Sequence, residues 1–446
     1  MPGPEVSASV RPLGAAHGAA LVVAGMIGTG IFTTTGMLLA SLGSPWLVLL
    51  IWVVAGLLAL CGAAVYAELG AMMPRAGGEY VYLSRAFHPA VGFLSGWIGL
   101  LVGFAAPSAA SALAFGRYLH ALAPALPQKP LALGLIVVVT AAHLVDVRFG
   151  ARLQTGLTGL VVLLIAVFIA GAAGFGHGSW AHLAAAASAG GPGAALGSAG
   201  PPVTAGALAL GLVLVSYAYF GWNTAAYVAG EIRDPARSLP RALVAGAGLV
   251  TVLYVALNLV FLWAVPPDAL AGQIEVGHVV AGALFGPRGA MLLSSLVALA
   301  LAGSVSAFMM AGPRITIAMA EDGLFFRALG RAGARGAPTG AVALQGALAF
   351  VVAATATFEP ILVYVGFTLT LSSGATVLAA FVLRRREPDA PRPHRALAWP
   401  LSGLLFLASA IFMTSFAIHS RPRESAASLL TLLAGGVAYM LWRRRR

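Results

Sequence analysis

Residues 25–32 read Gly-Met-Ile-Gly-Thr-Gly-Ile-Phe, in the middle of the first long apolar stretch of the chain. Apart from the Thr29 hydroxyl, no side chain there is polar, so the chemistry must come mostly from the backbone. Each glycine costs roughly 1 kcal/mol against alanine inside a helix. A freed N–H or C=O in lipid costs several kcal/mol more. Such a break survives where protein or a water-filled cavity satisfies the freed groups, so Gly25, Gly28 and Gly30 predict a binding site made of bare peptide dipoles. A second cluster, Ser216-Tyr-Ala-Tyr-Phe-Gly-Trp-Asn-Thr224, gathers Tyr217, Tyr219, Phe220, Trp222 and Asn223 around Gly221, again in mid-segment. Each cluster has a plainer reading: glycines as close packing surfaces, aromatics as ordinary core. The glycine spacing of three and two lacks the four-residue period of the packing motif, and the aromatic group beside Gly221 is more telling than any one member.

Other chemistry is thinly supplied. The chain has no His-Glu-x-x-His, no paired aspartates in a Gly-x-Gly-Asp context and no Ser–His pair at mid-depth, so no enzyme and no cofactor is expected. Glu68 and Glu231 sit near helix ends, close in sequence to Arg75, Arg233 and Arg237. They read as gate or structural ion pairs rather than as proton carriers. Arg117 and His143 fall near helix ends, and Glu359 begins a helix. No acidic residue is committed to the cavity, which argues against a dibasic or polyamine ligand.

The elements that must position these clusters are membrane helices. The 446 residues are 60% apolar and 9% charged, with a mean hydropathy of +0.92, against about 25% charged residues in soluble domains. The class is an all-α polytopic membrane protein. Twelve stretches are long and apolar enough to cross a bilayer: about 14–41, 45–72, 89–123, 131–148, 153–175, 204–231, 241–265, 289–319, 338–357, 359–383, 397–418 and 425–442. Segments 176–203 and 266–288 read as outer loops, the second with a short surface helix. Met1 to Pro12 has no apolar core of its own, so the first helix is expected to serve as an uncleaved insertion signal. With residues 1–13 placed in the cytoplasm, 21 Lys and Arg fall inside and 5 outside, which fixes the orientation and puts the basic tail 443–446 inside too. Net charge is +12, but it is dispersed over connectors without a basic aromatic stripe, so nucleic acid is not implied. The broken first and sixth segments occupy corresponding positions in two five-helix blocks, 14–175 and 204–383, and the odd count inverts the second block.

These residues resemble the amino acid–polyamine–organocation (APC) transporter family over essentially the whole chain. The resemblance rests on Gly25 to Phe32, Tyr66-Ala-Glu-Leu-Gly70, Pro74-Arg-Ala-Gly-Gly-Glu-Tyr80, Arg85-Ala-Phe87, Gly221-Trp-Asn223, Glu231-Ile-Arg-Asp-Pro235, Arg314, Asp322-Gly323, Arg384 to Asp389 and Arg392-Pro393. The Gly-Trp-Asn form is most like the L-type and bacterial neutral amino-acid permeases. The resemblance implies 12 transmembrane helices in the leucine-transporter-type 5+5 inverted repeat, plus two C-terminal helices at 397–442, with helices 1 and 6 broken. It implies a secondary transporter moving L-amino acids, neutral and by one feature small, across the cytoplasmic membrane by alternating access, as permease or exchanger. Two alternatives stand: a cationic amino acid or polyamine antiporter, and a membrane amino-acid sensor that does not transport.

An α-amino acid zwitterion needs donors for its carboxylate and acceptors for its ammonium. By resemblance, the amides of Gly28, Thr29 and Gly30 with the Thr29 hydroxyl take the carboxylate, at a helix N-terminus. The carbonyls of Met26, Tyr217, Ala218 and Phe220 take the ammonium. Tyr217 is a candidate lid, and Asn223 is expected to hydrogen-bond across the cavity. Gly25, Gly221, Trp222, Glu68 and Glu231 are expected to gate or to hold the breaks. Two departures stand out. Many family members carry a lysine in helix 5 where Val161 stands here. Ser304 and Ser306 in helix 8 offer the alternative of a sodium site, against the commoner fate of hydroxyls bonded to their own helix. Phe220 stands where large-substrate carriers tend to have glycine, which hints at a small side-chain pocket. The single cysteine, Cys61, lies within helix 2, so no disulfide-linked heavy subunit is expected. The expected partners are the substrate and membrane lipid.

Overall fold

A computed structural model describes residues 13–145, 147–185, 204–330, 338–356 and 358–443. The expectations for residues 1–12, for most of the loop 176–203, for Arg331 and Arg335, and for the tail 444–446 lie outside the described residues. Within them the chain is helical, with one two-residue bridge, Leu13 to Ile232, and no strand. Nine helical stretches are long and apolar enough to cross a membrane, and three shorter apolar helices accompany them.

The first apolar stretch is two helices, α1 (Ala15–Met26) and α2 (Thr29–Leu42), parted at Ile27 and Gly28. Gly43 ends α2 in the left-handed region that glycine adopts without strain. Ser44 then caps α3 (Pro45–Met72), whose first position is a proline. The connector after α3 folds inward to the short helix α4 (Glu79–Ala86). Helices α5 (Pro89–Ile98) and α6 (Ala106–Leu122) form one rod with a π turn over Gly99–Ala105. Pro107 has no N–H for the carbonyl four residues back, and the widened turn absorbs that loss.

Next come α7 (Gln128–Val145), α8 (Val147–Phe175) and α9 (Ala181–Ala184). The sixth apolar stretch is again split, into α10 (Ala205–Tyr219) and α11 (Thr224–Tyr227), followed by a 3-10 turn at Ala229–Glu231. Then follow α12 (Pro235–Ala264), α13 (Pro267–Leu270), α14 (Val276–Ala311), α15 (Pro313–Glu321), α16 (Thr339–Thr355), α17 (Phe358–Arg386), α18 (Leu401–Ser420) and α19 (Pro422–Arg443). The expected surface helix within 266–288 is α13 together with the first turns of α14, which kinks at Gly286 before Pro287.

Helix α12 packs along α3, α6 against α14, and α1 between α12 and α8. The core therefore forms around α1, α6, α10 and α14, while Leu292, Val252, Leu430 and Phe175 stay exposed on the outside. A soluble protein would hide such residues; here they suit contact with acyl chains.

Candidate functional site

The two breaks face each other. Gly221 has φ +106, a conformation that residues with side chains rarely adopt, and a Cβ on it would lie 2.4 Å from the carbonyl of Gly25. A Cβ on Gly25 would meet the Thr224 hydroxyl at 2.7 Å. One residue pair later, a Cβ on Gly30 would fall 2.3 Å from that of Ala218 and 2.4 Å from its Cα. Gly25 and Gly30 thus serve close backbone approach, the plainer of the two sequence readings. Gly28 differs: its nearest neighbour would be the Ser304 hydroxyl at 3.4 Å.

Met26, Gly28, Thr29, Gly30, Tyr217, Ala218 and Phe220, seven of the eight expected ligand residues, line one cavity with Gly25, Ser111, Ser304, Pro107 and Phe308. Its volume is about 10 Å³, room for about one water. No acid, base or histidine lines it. Helix α2 starts there with no side-chain cap on its first N–H groups, which leaves donors and a positive dipole end pointing at the cavity. The Thr29 and Tyr217 hydroxyls lie 3.3 Å apart and tie the two broken segments together. Phe220 stacks on Phe308 with centroids 6.4 Å apart, filling the space beside Ala218. A second cavity of about 50 Å³ lies across Tyr217 and Phe220, against α3, α17 and α18.

Asn223 is not at this cavity. It is buried and donates through Nδ2 to Glu79 Oε1 at 3.0 Å, because Gly221 turns the chain away before it. Trp222 lies edge-on to Tyr66 at 4.6 Å and to Phe406 at 5.9 Å, anchoring the break to α3 and α18. The proposed serine pair is divided. Ser304 lines the cavity near Ser111 at 3.4 Å, whereas Ser306 is 3.0 Å from His143 Nε2. Positions two apart on a helix point to opposite sides, so the two serines cannot flank one ion. Val161, at the helix 5 position, is buried and apolar.

Glu68 and Glu231, the acidic residues expected to gate, find partners far away in sequence. Glu68 accepts from Arg384 Nε at 2.9 Å and from the Ala396 N–H at 2.7 Å, with Arg392 Nε at 3.5 Å. Glu231 pairs with Arg314 at 2.9 and 3.3 Å. Arg75 bonds Asp322 at 3.1 and 2.8 Å. These pairs gather at one end, the arginine-rich end. There the Leu13 N–H donates to the Glu231 carbonyl at 3.0 Å, and the Arg233 N–H to the Leu13 carbonyl at 2.8 Å. At the other end the Gly272 N–H donates to the Gly36 carbonyl at 2.8 Å, so the α13 turn rests on α2.

Two residues escaped sequence reasoning. Tyr254, buried on α12, donates its hydroxyl to the Met26 carbonyl and approaches the Ala218 carbonyl at 3.2 Å. It therefore touches two of the carbonyls expected to receive an ammonium. Glu79 is 4% exposed and lies at the first turn of α4, a stretch that reads as a connector.

A family model described as amino acid permease matches residues 14–439. The chain belongs to the amino acid permease family. This permease is 31% identical over 442 residues to "Large neutral amino acids transporter small subunit 2" of Oryctolagus cuniculus, covering 97% of the chain and 80% of the relative. It is 28% identical to "b(0,+)-type amino acid transporter 1" of Mus musculus, over 97% of the chain and 88% of the relative. It is also 28% identical to "Asc-type amino acid transporter 1" of Mus musculus, over 98% and 82%. The permease thus matches transporters, not enzymes, and the matched span takes in both breaks and the ion pairs at the arginine-rich end.

Proposed function

We propose that this permease is a secondary transporter of neutral L-amino acids, working by alternating access as a net permease or an exchanger. The observation that carries the reading is the uncharged cavity between two broken helices. Amide donors at the start of α2 stand on one side of it, and the carbonyls of Met26 and Ala218, bridged by Tyr254, on the other. A zwitterion matches both sets without a protein charge. A cationic side chain or a polyamine would find no carboxylate in the lining. Phe220 stacked on Phe308 favours a small side chain.

In this reading the twelve crossings comprise the nine long helical stretches and the three shorter ones, Gln128–Leu144, Ala205–Tyr219 and Thr339–Thr355, in a leucine-transporter-type inverted repeat. The arginine-rich end is cytoplasmic by the positive-inside rule, so both termini lie inside and the protein belongs in the cytoplasmic membrane. Cys61, the one cysteine, is within α3, which leaves no outer-loop thiol for a disulfide-linked subunit.

The test is uptake by the purified protein in liposomes. Labelled alanine, serine, leucine, lysine and putrescine are compared, with sodium, a pH gradient and internal unlabelled amino acid varied one at a time. Small neutral amino acids should be taken up; uptake of none, or of putrescine and lysine alone, refutes the proposal.

A further inference from the structure

Glu68, Glu231 and Glu79, three of the carboxylates toward the arginine-rich end, are held in two different ways. Glu68 and Glu231 are met by arginines. Glu79, as deeply buried as Glu68, has no cationic partner among the described residues. Its carboxylate is surrounded by neutral donors. Tyr66 Oη lies at 2.5 Å, Asn223 Nδ2 at 3.0 Å and Ser373 Oγ at 3.3 Å from Oε1. Ser95 Oγ lies at 3.4 Å from Oε2, and Ser372 Oγ donates to the same oxygen. The titratable groups facing it are phenols: Tyr66 on α3, Tyr82 on its own helix and Tyr227 on α11. From α5 and α17 only serine hydroxyls face it.

We propose that Glu79 is a proton-binding site whose charge state is transmitted to the break in the sixth segment. A carboxylate that stays ionised in a dry interior is normally paired with a cation, as the equally buried Glu68 is. Glu79 is instead held by groups that work in either state. A hydroxyl donates to a carboxylate and, turned round, accepts from a carboxylic acid. Four of the five partners are hydroxyls. The fifth, Asn223, donates through Nδ2, while its Oδ1 is buried with no partner. Turning the amide over offers that acceptor to the acid. Asn223 stands two residues after Gly221, where the helix opens beside the cavity, so a proton on Glu79 changes what holds the break to α5 and α17. The proton comes from solvent and returns to it; no other reactant is needed. Burial pushes the Glu79 carboxyl, which lies between the spanning helices, up from its ordinary value, and the hydroxyls of Ser372, Tyr66, Ser373 and Ser95 oppose that rise.

The inference rests on the transporter reading for its consequence, but its first test does not. Infrared spectra of the purified full chain are recorded over a pH series from acid to alkaline. A protonated-carboxyl band should grow as pH falls and be missing in Glu79→Gln. A wild-type spectrum without that band, or the same band in Glu79→Gln, overturns the proposal. In liposomes, exchange should change several-fold with internal pH over the same range. Glu79→Gln should exchange at a rate that does not vary with pH. Should that variant fail to fold, Ser372→Ala serves: losing a donor to the charged form moves the midpoint to higher pH, and an unmoved midpoint overturns the proposal. Uptake of no amino acid would fail the transporter reading, whereas uptake with a pH profile unchanged by Glu79→Gln fails this inference alone.

Discussion

Alanine at Gly28 and alanine at Gly30, made separately, should fail in different ways. At Gly30 the new methyl falls 2.3 Å from the Ala218 Cβ and 2.4 Å from its Cα. Contact becomes ordinary near 3.4 Å, so α2 must withdraw from α10 by about 1 Å. Backbone cannot swing aside like a long side chain, and overpacking of this kind costs about 1–3 kcal/mol. At Gly28 the methyl has 3.4 Å to the Ser304 hydroxyl and fits the fold, but it points at a cavity of about 10 Å³, where a substrate carboxylate is expected to sit. Losing one charge-assisted hydrogen bond there costs about 1.5–3 kcal/mol, or roughly 10- to 150-fold in affinity. Thermal melting in detergent and concentration-dependent uptake in liposomes separate the two. Gly30→Ala should melt earlier than wild type; Gly28→Ala should melt alike yet show a raised KM. Wild-type melting of Gly30→Ala would refute the close approach of α2 and α10. An unchanged KM in Gly28→Ala would refute the placement of the carboxylate.

Three further outcomes follow from the same geometry. Tyr254→Phe leaves the Met26 and Ala218 carbonyls without their donor, so it should lower stability by about 1–3 kcal/mol. Since a bound ammonium would then supply the missing donor, added substrate should raise the melting temperature more in Tyr254→Phe than in wild type. Phe220→Ala opens room beside Ala218 and should shift uptake from alanine toward leucine; three extra carbons at about 0.8 kcal/mol each allow up to about 60-fold, measured as a ratio of uptake rates. Arg314→Ala leaves Glu231 without its cation and should weaken closure of the arginine-rich end. Faster labelling of a cysteine introduced near the cavity is the readout, and a rate equal to wild type would argue against a gate.

The breaks were readable because lipid makes an open helix expensive: Gly28 and Gly221 stand where the first and sixth segments part, and seven of the eight expected ligand residues line one cavity. The partners of the charges were not readable. Glu68 reaches Arg384 and Arg392, over 300 positions away, while Arg75 in the next connector turns to Asp322; spacing along the chain carries no information about such pairs. Glu79 was missed for a related reason. Gly77, Gly78 and Glu79 read as a polar turn, and nothing periodic in so short a stretch says that it folds into the core. The one available sign was the aromatic flank, Tyr80 and Tyr82, unusual for a solvated connector. The resemblance puts Asn223 at the cavity; Gly221, with its positive φ, turns it to the other side, onto Glu79. Ser304 and Ser306, two apart in sequence, invite pairing, which helical geometry divides.

The bridge at Leu13 and Ile232 gives the paired breaks a mechanical meaning. Segment α1 is fastened to the sixth segment twice, by backbone hydrogen bonds at its start and by the seating of Gly25 against Gly221 near its end. A bar held at two points cannot pivot on its mount. α1 and the stretch after Gly221 therefore form a single yoke, and in the proposed alternating-access reading a tilt that opens the arginine-rich end carries both, with the helix openings as the shared axle.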